Sequence, residues 1–226
     1  MKCRIIRRFR SPQTMAAYAV GVFRRAVAAK KHAGFIAALP GGRTPAPIFK
    51  ELSRLPLPWD RMVFFMTDER LVPPSSPESN FGSARARLFS KIRIPRANLH
   101  PVKAVPEAAA AYGRELLRET GGTGRLDLVL LGLGEDGHTA SLFPGAPQAR
   151  AAAGPVCAVL APRGTKTRRR VTLALKTINS ASTVILLAAG PGKKLSFERA
   201  ARRDKKIPAG RLDPRGKLYL LFSDNN

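Results

Sequence analysis

The residues best equipped for chemistry lie in the stretch 126–145, LDLVLLGLGEDGHTASLFPG. It opens on an unbroken apolar run, Leu128-Val129-Leu130-Leu131, of the length and character of a strand buried on both faces. The run breaks at Gly132 and Gly134, and the turn that follows presents Asp136-Gly137-His138. A histidine on a glycine-rich loop after a buried strand is a candidate general base, because imidazole exchanges protons near neutral pH. Asp136 stands two residues earlier, where its carboxylate would either orient the ring or bind a substrate hydroxyl. Gly132, Gly134 and Gly137 would allow a ligand close to the backbone, and their amides are candidate oxyanion donors. Ser141 lies near His138, but no GxSxG elbow surrounds it, so water is the expected attacker.

Three other stretches share the layout of an apolar strand followed at once by a glycine-rich or charged turn. Gly41-Gly42-Arg43-Thr44 offers approachable amides leading into a helix, a fitting place for a phosphate. Its spacing matches neither the P-loop nor GxGxxG, which excludes a nucleoside triphosphatase and a dinucleotide enzyme. In Thr67-Asp68-Glu69-Arg70, Asp68 is placed to accept a substrate hydroxyl and Arg70 to meet a phosphate or orient its neighbours. Taken alone, that tetrapeptide also fits a solvated surface ion pair. Gly190-Pro191-Gly192 presents Lys193 to an anion in the same way. Arg170 closes the basic loop 163–170 directly before a strand, and is the member of that loop expected to face the pocket. With three histidines and no HxxxH or HExxH, no metal site is expected. Cys3 and Cys157 form neither a metal spacing nor a disulfide framework, which points to a reducing, cytoplasmic setting.

The elements that must position these residues follow from periodicity. Strands are expected over 3–9, 35–39, 61–66, 128–131, 156–160, 171–175, 181–188 and 217–222. Helices are expected over 12–34, 46–52, 81–89, 106–120 and 195–206, with Ser79-Asn80 capping the third and Glu107 in the first turn of the fourth. Alternating strands and helices predict one α/β domain spanning the chain, Rossmann-like, with a mostly parallel sheet flanked by helices. In open sheets of this class ligands bind beyond the carboxyl ends of the strands. The four turns therefore converge on one pocket if their strands are neighbours.

Charge and composition narrow the partners. The excess of 40 Lys+Arg over 15 Asp+Glu, a net +25, favours anions. The basic residues are scattered, and the 7% aromatics are not interleaved with them as stacking platforms, so nucleic acid is set aside in favour of a small phosphorylated molecule. No apolar run approaches the roughly eighteen residues of a membrane span. The acid-free stretch before Glu51 has the composition of a transit peptide. It nevertheless reads as folded structure, a strand followed by Ser11 at an N-cap and Pro12 at the first helical position. His32 and His100 have no comparable setting and are expected at the surface.

Together the motifs resemble the 6-phosphogluconolactonase family: GGRTP (41–45), FFMTDERLVP (64–73) with SN (79–80), the stretch 126–145, RVTLALKTINSA (170–181) and GPGKK (190–194), in the family's order. The resemblance implies hydrolysis of 6-phosphogluconolactone to 6-phosphogluconate in the oxidative pentose phosphate pathway. It implies a fold like that of glucosamine-6-phosphate deaminase, no metal, no cofactor, and a phosphorylated sugar lactone as partner; the expected state, a monomer or homodimer, is not distinguished by the sequence. Carried over by motif, His138 activates water, while Asp68, Arg70 and Asp136 line the site. Gly41, Gly42, Thr44, Arg170 and Lys193 hold or neighbour the phosphate. Arg43 stands where the family usually has serine, adding a phosphate contact or crowding the loop, and Thr67 stands where it usually has glycine. The deaminase or isomerase alternative shares the aspartate–glycine–histidine loop but continues with an acidic residue, unlike the 139–144 segment TASLFP here. A sugar-phosphate-sensing regulator would need a helix-turn-helix for which no segment is spare.

Overall fold

The computed structural model describes residues 3–30, 34–146 and 153–225, so His32 lies outside the described residues. In chain order the main elements are β1 (Cys3–Phe9), α1 (Pro12–Ala28), β2 (Phe35–Leu39), α2 (Ala46–Leu52), β3 (Met62–Met66), β4 (Asp68–Arg70), α3 (Asn80–Arg87), β5 (Leu99–His100), α4 (Ala108–Glu119), β6 (Leu128–Gly132), β7 (Val156–Leu160), β8 (Arg169–Leu173), α5 (Leu175–Ser180), β9 (Thr183–Ala189), α6 (Lys194–Ala201) and β10 (Lys217–Ser223).

Seven strands form a parallel sheet in the order β1-β10-β9-β6-β2-β3-β5. Every residue of β9 is buried, as expected of a strand covered on both faces. Alternation along β6 divides the core in two. Leu128 and Leu130 pack with Phe23, Phe49 and Phe64 on the side of α1 and α2. Val129 and Leu131 pack with Tyr112, Leu116 and Phe197 on the side of α4 and α6.

The strand order also shows where the chain reverses. From β2 it moves outward through β3 to β5, then returns to the opposite flank of β2 as β6 and continues through β9 to β10. The carboxyl ends of β2 and β6 thus flank a topological switch point, where the connections diverge and leave a crevice.

Several local expectations are corrected. The segment 67–70 is not simply a turn: Asp68–Arg70 forms β4, which joins β8 and β7 in a separate antiparallel sheet. The strand expected over 171–175 begins earlier, at Arg169, and ends at Leu173, because Arg169–Leu173 pairs with Val156–Leu160 and α5 starts at Leu175. Helix α1 begins as expected, with Ser11 Oγ accepting the Thr14 amide at 3.2 Å. It ends at Ala28 rather than near Gly34, its last turn tightened by Lys30 N–H donating to Val27 C=O. Helix α4 starts at Ala108, after the tight turn in which Ala108 N–H donates to Val105 C=O, so Glu107 is an N-cap residue without a side-chain cap. Helix α6 stops at Ala201 because Arg203 adopts φ 59°, and Asp204 N–H then closes back onto Arg199 C=O at 3.0 Å. His100 is not a surface residue. It is 6% exposed, stacked on Phe65 with ring centroids 4.4 Å apart, its Nδ1 3.3 Å from Glu115.

Candidate active site

The four turns do converge. One cavity of about 170 Å³ at the carboxyl ends of the strands is lined by Gly41, Gly42, Arg43, Thr44, Asp68, Arg70, His138, Arg170 and Lys193, with Asn80, Gly132 and Ala140 among the remaining walls. Asp136 stands behind His138 rather than in the lining. A larger cavity of about 580 Å³, beside Phe35 and Met62 at the opposite ends of β2 and β3, holds none of these residues.

His138 is held from two sides. Asp136 Oδ1 lies 2.6 Å from His138 Nδ1 and accepts the His138 amide at 3.0 Å. Burial pushes the Asp136 carboxyl upward, but the hydrogen bonds from the His138 ring and amide and the charge of that ring outweigh it, leaving the group below the usual carboxylate range. An ionised carboxylate only accepts, so Nδ1 carries the bonding proton, and in the neutral ring the free lone pair is the one on Nε2. Asp136 is therefore the residue that orients the ring. The Phe143 ring packs 5.0 Å from the imidazole, centroid to centroid.

The loop glycines serve the protein's own side chains. A Cβ on Gly134 would lie 2.1 Å from His138 Nδ1 and 2.7 Å from Asp136 Oδ1. Gly137 has φ 88° and would place a Cβ 2.7 Å from Ile207 Cβ. Nor are the amides of Gly134 and Gly137 available as oxyanion donors: they donate to His138 C=O at 2.9 Å and Gly134 C=O at 3.0 Å, which closes the loop on itself.

The anion-binding side of the cavity has a different construction. Among the described residues, the amides of Gly41, Gly42, Arg43 and Thr44 donate no hydrogen bond, and all four residues line the cavity. Gly41 is required because a Cβ there would fall 1.9 Å from Asn80 Oδ1. Antiparallel pairing of β4 with β8 sets Arg70 directly opposite Arg170. Burial depresses the Arg170 guanidinium below its ordinary value, and the neighbouring Arg70 depresses it further. Arg70 Nη1 donates to Glu78 C=O at 2.7 Å and Asn80 Oδ1 at 2.8 Å, while its buried Nε has no partner among the described residues. Lys193 is likewise pushed down, first by burial, with Glu135 opposing the shift and Arg43 adding to it. Cations so crowded favour a multiply charged anion between them.

Asp68 is 8% exposed, and its Oδ2 accepts the Ser141 hydroxyl at 2.6 Å. Ser141 is fully buried and committed to that bond, so it has neither the exposure nor the base of a nucleophile. Two residues escaped the sequence as parts of the site. Glu69 is 1% exposed and accepts from the amides of Arg70, Asn80 and Phe81 and the hydroxyl of Ser79, at 2.7–3.0 Å. It clamps the start of α3 against β4, so the surface ion-pair alternative is excluded. Burial raises its carboxyl, against the pull of those four hydrogen bonds. Asn80 binds both Arg70 Nη1 and, through Nδ2, Asp68 C=O at 2.8 Å, so it locks two lining residues together. They stand eleven positions apart in the DER…SN pattern, which was the available signal.

Residues 10–220 match the family described as glucosamine-6-phosphate isomerases/6-phosphogluconolactonase. The chain belongs to this family. A 6-phosphogluconolactonase of Synechocystis sp. is 39% identical over 197 residues, covering 82% of this chain and 80% of that protein. The crystal structure of 6-phosphogluconolactonase from Thermotoga maritima superposes with a TM-score of 0.87 at 29% identity, covering 97% of this chain and 99% of the other. A monomeric glucosamine-6-phosphate deaminase reaches a TM-score of 0.84 at 17% identity, covering 96% and 97%, which shows a shared fold and no more. The family fold is the one expected, a mostly parallel sheet flanked by helices. Among the described residues no helix is long and apolar enough to cross a membrane.

Proposed function

We propose that this chain is a single catalytic domain that hydrolyses 6-phospho-D-glucono-1,5-lactone to 6-phospho-D-gluconate, the lactone-opening step of the oxidative pentose phosphate pathway. The observation that carries the reading is the placement of His138, backed by Asp136, and of the Arg70–Arg170 pair in one cavity. The two guanidinia, Lys193 and the unmet amides of 41–44 hold the 6-phosphate by charge-assisted hydrogen bonds. Anchoring that end brings the lactone carbonyl to the histidine and makes the attack effectively unimolecular. His138 Nε2 takes a proton from water as the water oxygen bonds to C1. The tetrahedral intermediate then expels the ring oxygen, which takes the proton back from Nε2 as the C1–O5 bond breaks. Asp136 stabilises the imidazolium formed in between. Asp68, held by Ser141 and Asn80, is left to accept a sugar hydroxyl. Cys3 and Cys157 are both free thiols, which fits a reducing, cytoplasmic setting for a monomer or homodimer.

The test is lactone opening above the spontaneous background for the wild type and His138→Asn. Loss of the base is expected to reduce kcat by about 10²–10⁴-fold. Equal rates would remove His138 from the mechanism. Ammonia release from glucosamine 6-phosphate would replace the reaction with that of the other branch of the family.

A further inference from the structure

Next to the catalytic cavity lies a second cleft, of about 450 Å³, and the two share Gly42, Arg43, Arg70 and Asn80 as common walls. Beyond those residues the second cleft is walled by Arg85 and Arg87 of α3 and by several serines, with no carboxylate side chain in its lining. Its four guanidinia come from three separate elements: the loop after β2, strand β4 and helix α3.

Little in the protein uses this charge. The side chains of Arg43 and Arg85 make no hydrogen bond or ion pair among the described residues. Arg87 donates one bond, to Ser83 Oγ at 2.6 Å. A last-turn position on α3 lets Arg85 and Arg87 complement the helix dipole, which explains their sign but not their convergence with Arg43 and Arg70. Like charges gathered in one concavity focus a positive field into it. No aromatic residue lines the cleft, so it has no platform on which a base could stack.

We propose that this annex is a second anion-binding site, which takes the distal phosphate of a polyphosphorylated ligand whose proximal phosphate sits in the catalytic cavity. Arg43 and Arg70 bridge the two positions, and Arg85 and Arg87 serve the distal one alone. The ligand class is a compact molecule with two or more linked phosphates, recognised by charge and spacing rather than by a base. This inference rests on the cavities and not on the lactonase reading, so its test is a binding measurement.

The experiment is calorimetric titration at fixed ionic strength with tripolyphosphate and, separately, inorganic phosphate. The proteins are the wild type, Arg85→Ala/Arg87→Ala, and a control, Arg93→Ala/Arg96→Ala, which removes the same charge from exposed positions outside the cleft. Wild type should bind tripolyphosphate at least about tenfold more tightly than inorganic phosphate, and the Arg85/Arg87 variant should lose about tenfold for tripolyphosphate only, each tenfold being about 1.4 kcal/mol. The control should retain wild-type affinity, and lactone hydrolysis by the Arg85/Arg87 variant should keep its kcat and KM. Equal losses in both double variants would assign the binding to the overall charge of +25 and overturn the proposal. So would equal wild-type affinity for the two anions. A wild type that binds tripolyphosphate as described yet opens no lactone would instead sink the proposed function alone.

Discussion

An alanine at Gly134 probes the catalytic loop without replacing a catalytic residue. Its Cβ would stand 2.1 Å from His138 Nδ1, 2.3 Å from His138 Cε1 and 2.7 Å from Asp136 Oδ1. Gly134 is not among the glycines with positive φ, so its backbone accepts alanine unstrained. The obstructing atoms are ends of side chains, so the conflict resolves by swinging the imidazole aside. Restoring an ordinary non-bonded separation of about 3.5 Å requires a displacement on the order of 1 Å. A shift of that size costs about 10²-fold by misplacement alone, and complete loss of the base costs about 10²–10⁴-fold. Variant kcat should therefore fall by about 10²–10⁴, with KM changed by less than roughly threefold because the phosphate-binding groups are untouched. Gly→Ala restricts the unfolded chain and contributes about 0.4–1 kcal/mol of stability, offsetting the weakened Asp136–His138 bond. The melting temperature should thus move by no more than about 4 °C. The assay pairs continuous titration of the acid released, corrected for spontaneous opening, with thermal unfolding by circular dichroism. Wild-type turnover in a folded Gly134→Ala protein would refute the reasoning, because the ring could then leave its seat without consequence.

Two further outcomes follow from individual hydrogen bonds. Glu69→Gln presents an amide N–H₂ to the Phe81 amide, leaves a buried donor unmet and removes charge from the remaining bonds, for a loss of about 2–4 kcal/mol measured by urea unfolding at neutral pH; a change below about 0.5 kcal/mol would show that Glu69 does not clamp β4 to α3. Asp136→Asn should lower kcat by at least about tenfold, since the asparagine no longer fixes the tautomer or stabilises the imidazolium. Because the Asp136 carboxyl sits below its unfolded value in the native protein, its contribution to stability is present above the unfolded value and fades as pH falls through the native one. Acid titration of unfolding should accordingly bring wild type and Asp136→Asn together at low pH, and a constant difference down to the acid limit would contradict the direction of that shift.

Much of the site was legible because its chemistry is local. Apolar runs such as Leu128–Leu131 cannot remain solvated, so they become buried strands, and the glycines and prolines that follow end them at once. The spacing of Asp136 and His138 already places a carboxylate where it can reach the ring. The segments that departed from expectation are those decided by distant neighbours. As a turn, Thr67–Arg70 gives no reason to separate its two carboxylates. As strand β4 it alternates, so Asp68 and Arg70 share the cavity face while Glu69 points the other way, to α3. The meeting of Arg70 with Arg170 depends on a register across one hundred residues of chain. His100 is buried because Phe65 offers it a ring face, and no feature of its immediate neighbours announces that. Gly134 and Gly137 are legible as glycines that something must approach, but whether a ligand or the protein's own His138 and Ile207 approaches them is settled in three dimensions. Residue type and spacing thus determined which strands, turns and reactive groups exist, since burial and backbone freedom act over a few residues. Which of those groups face one another was decided only by cross-strand register and strand order, because these arise from packing between segments that the chain itself keeps far apart.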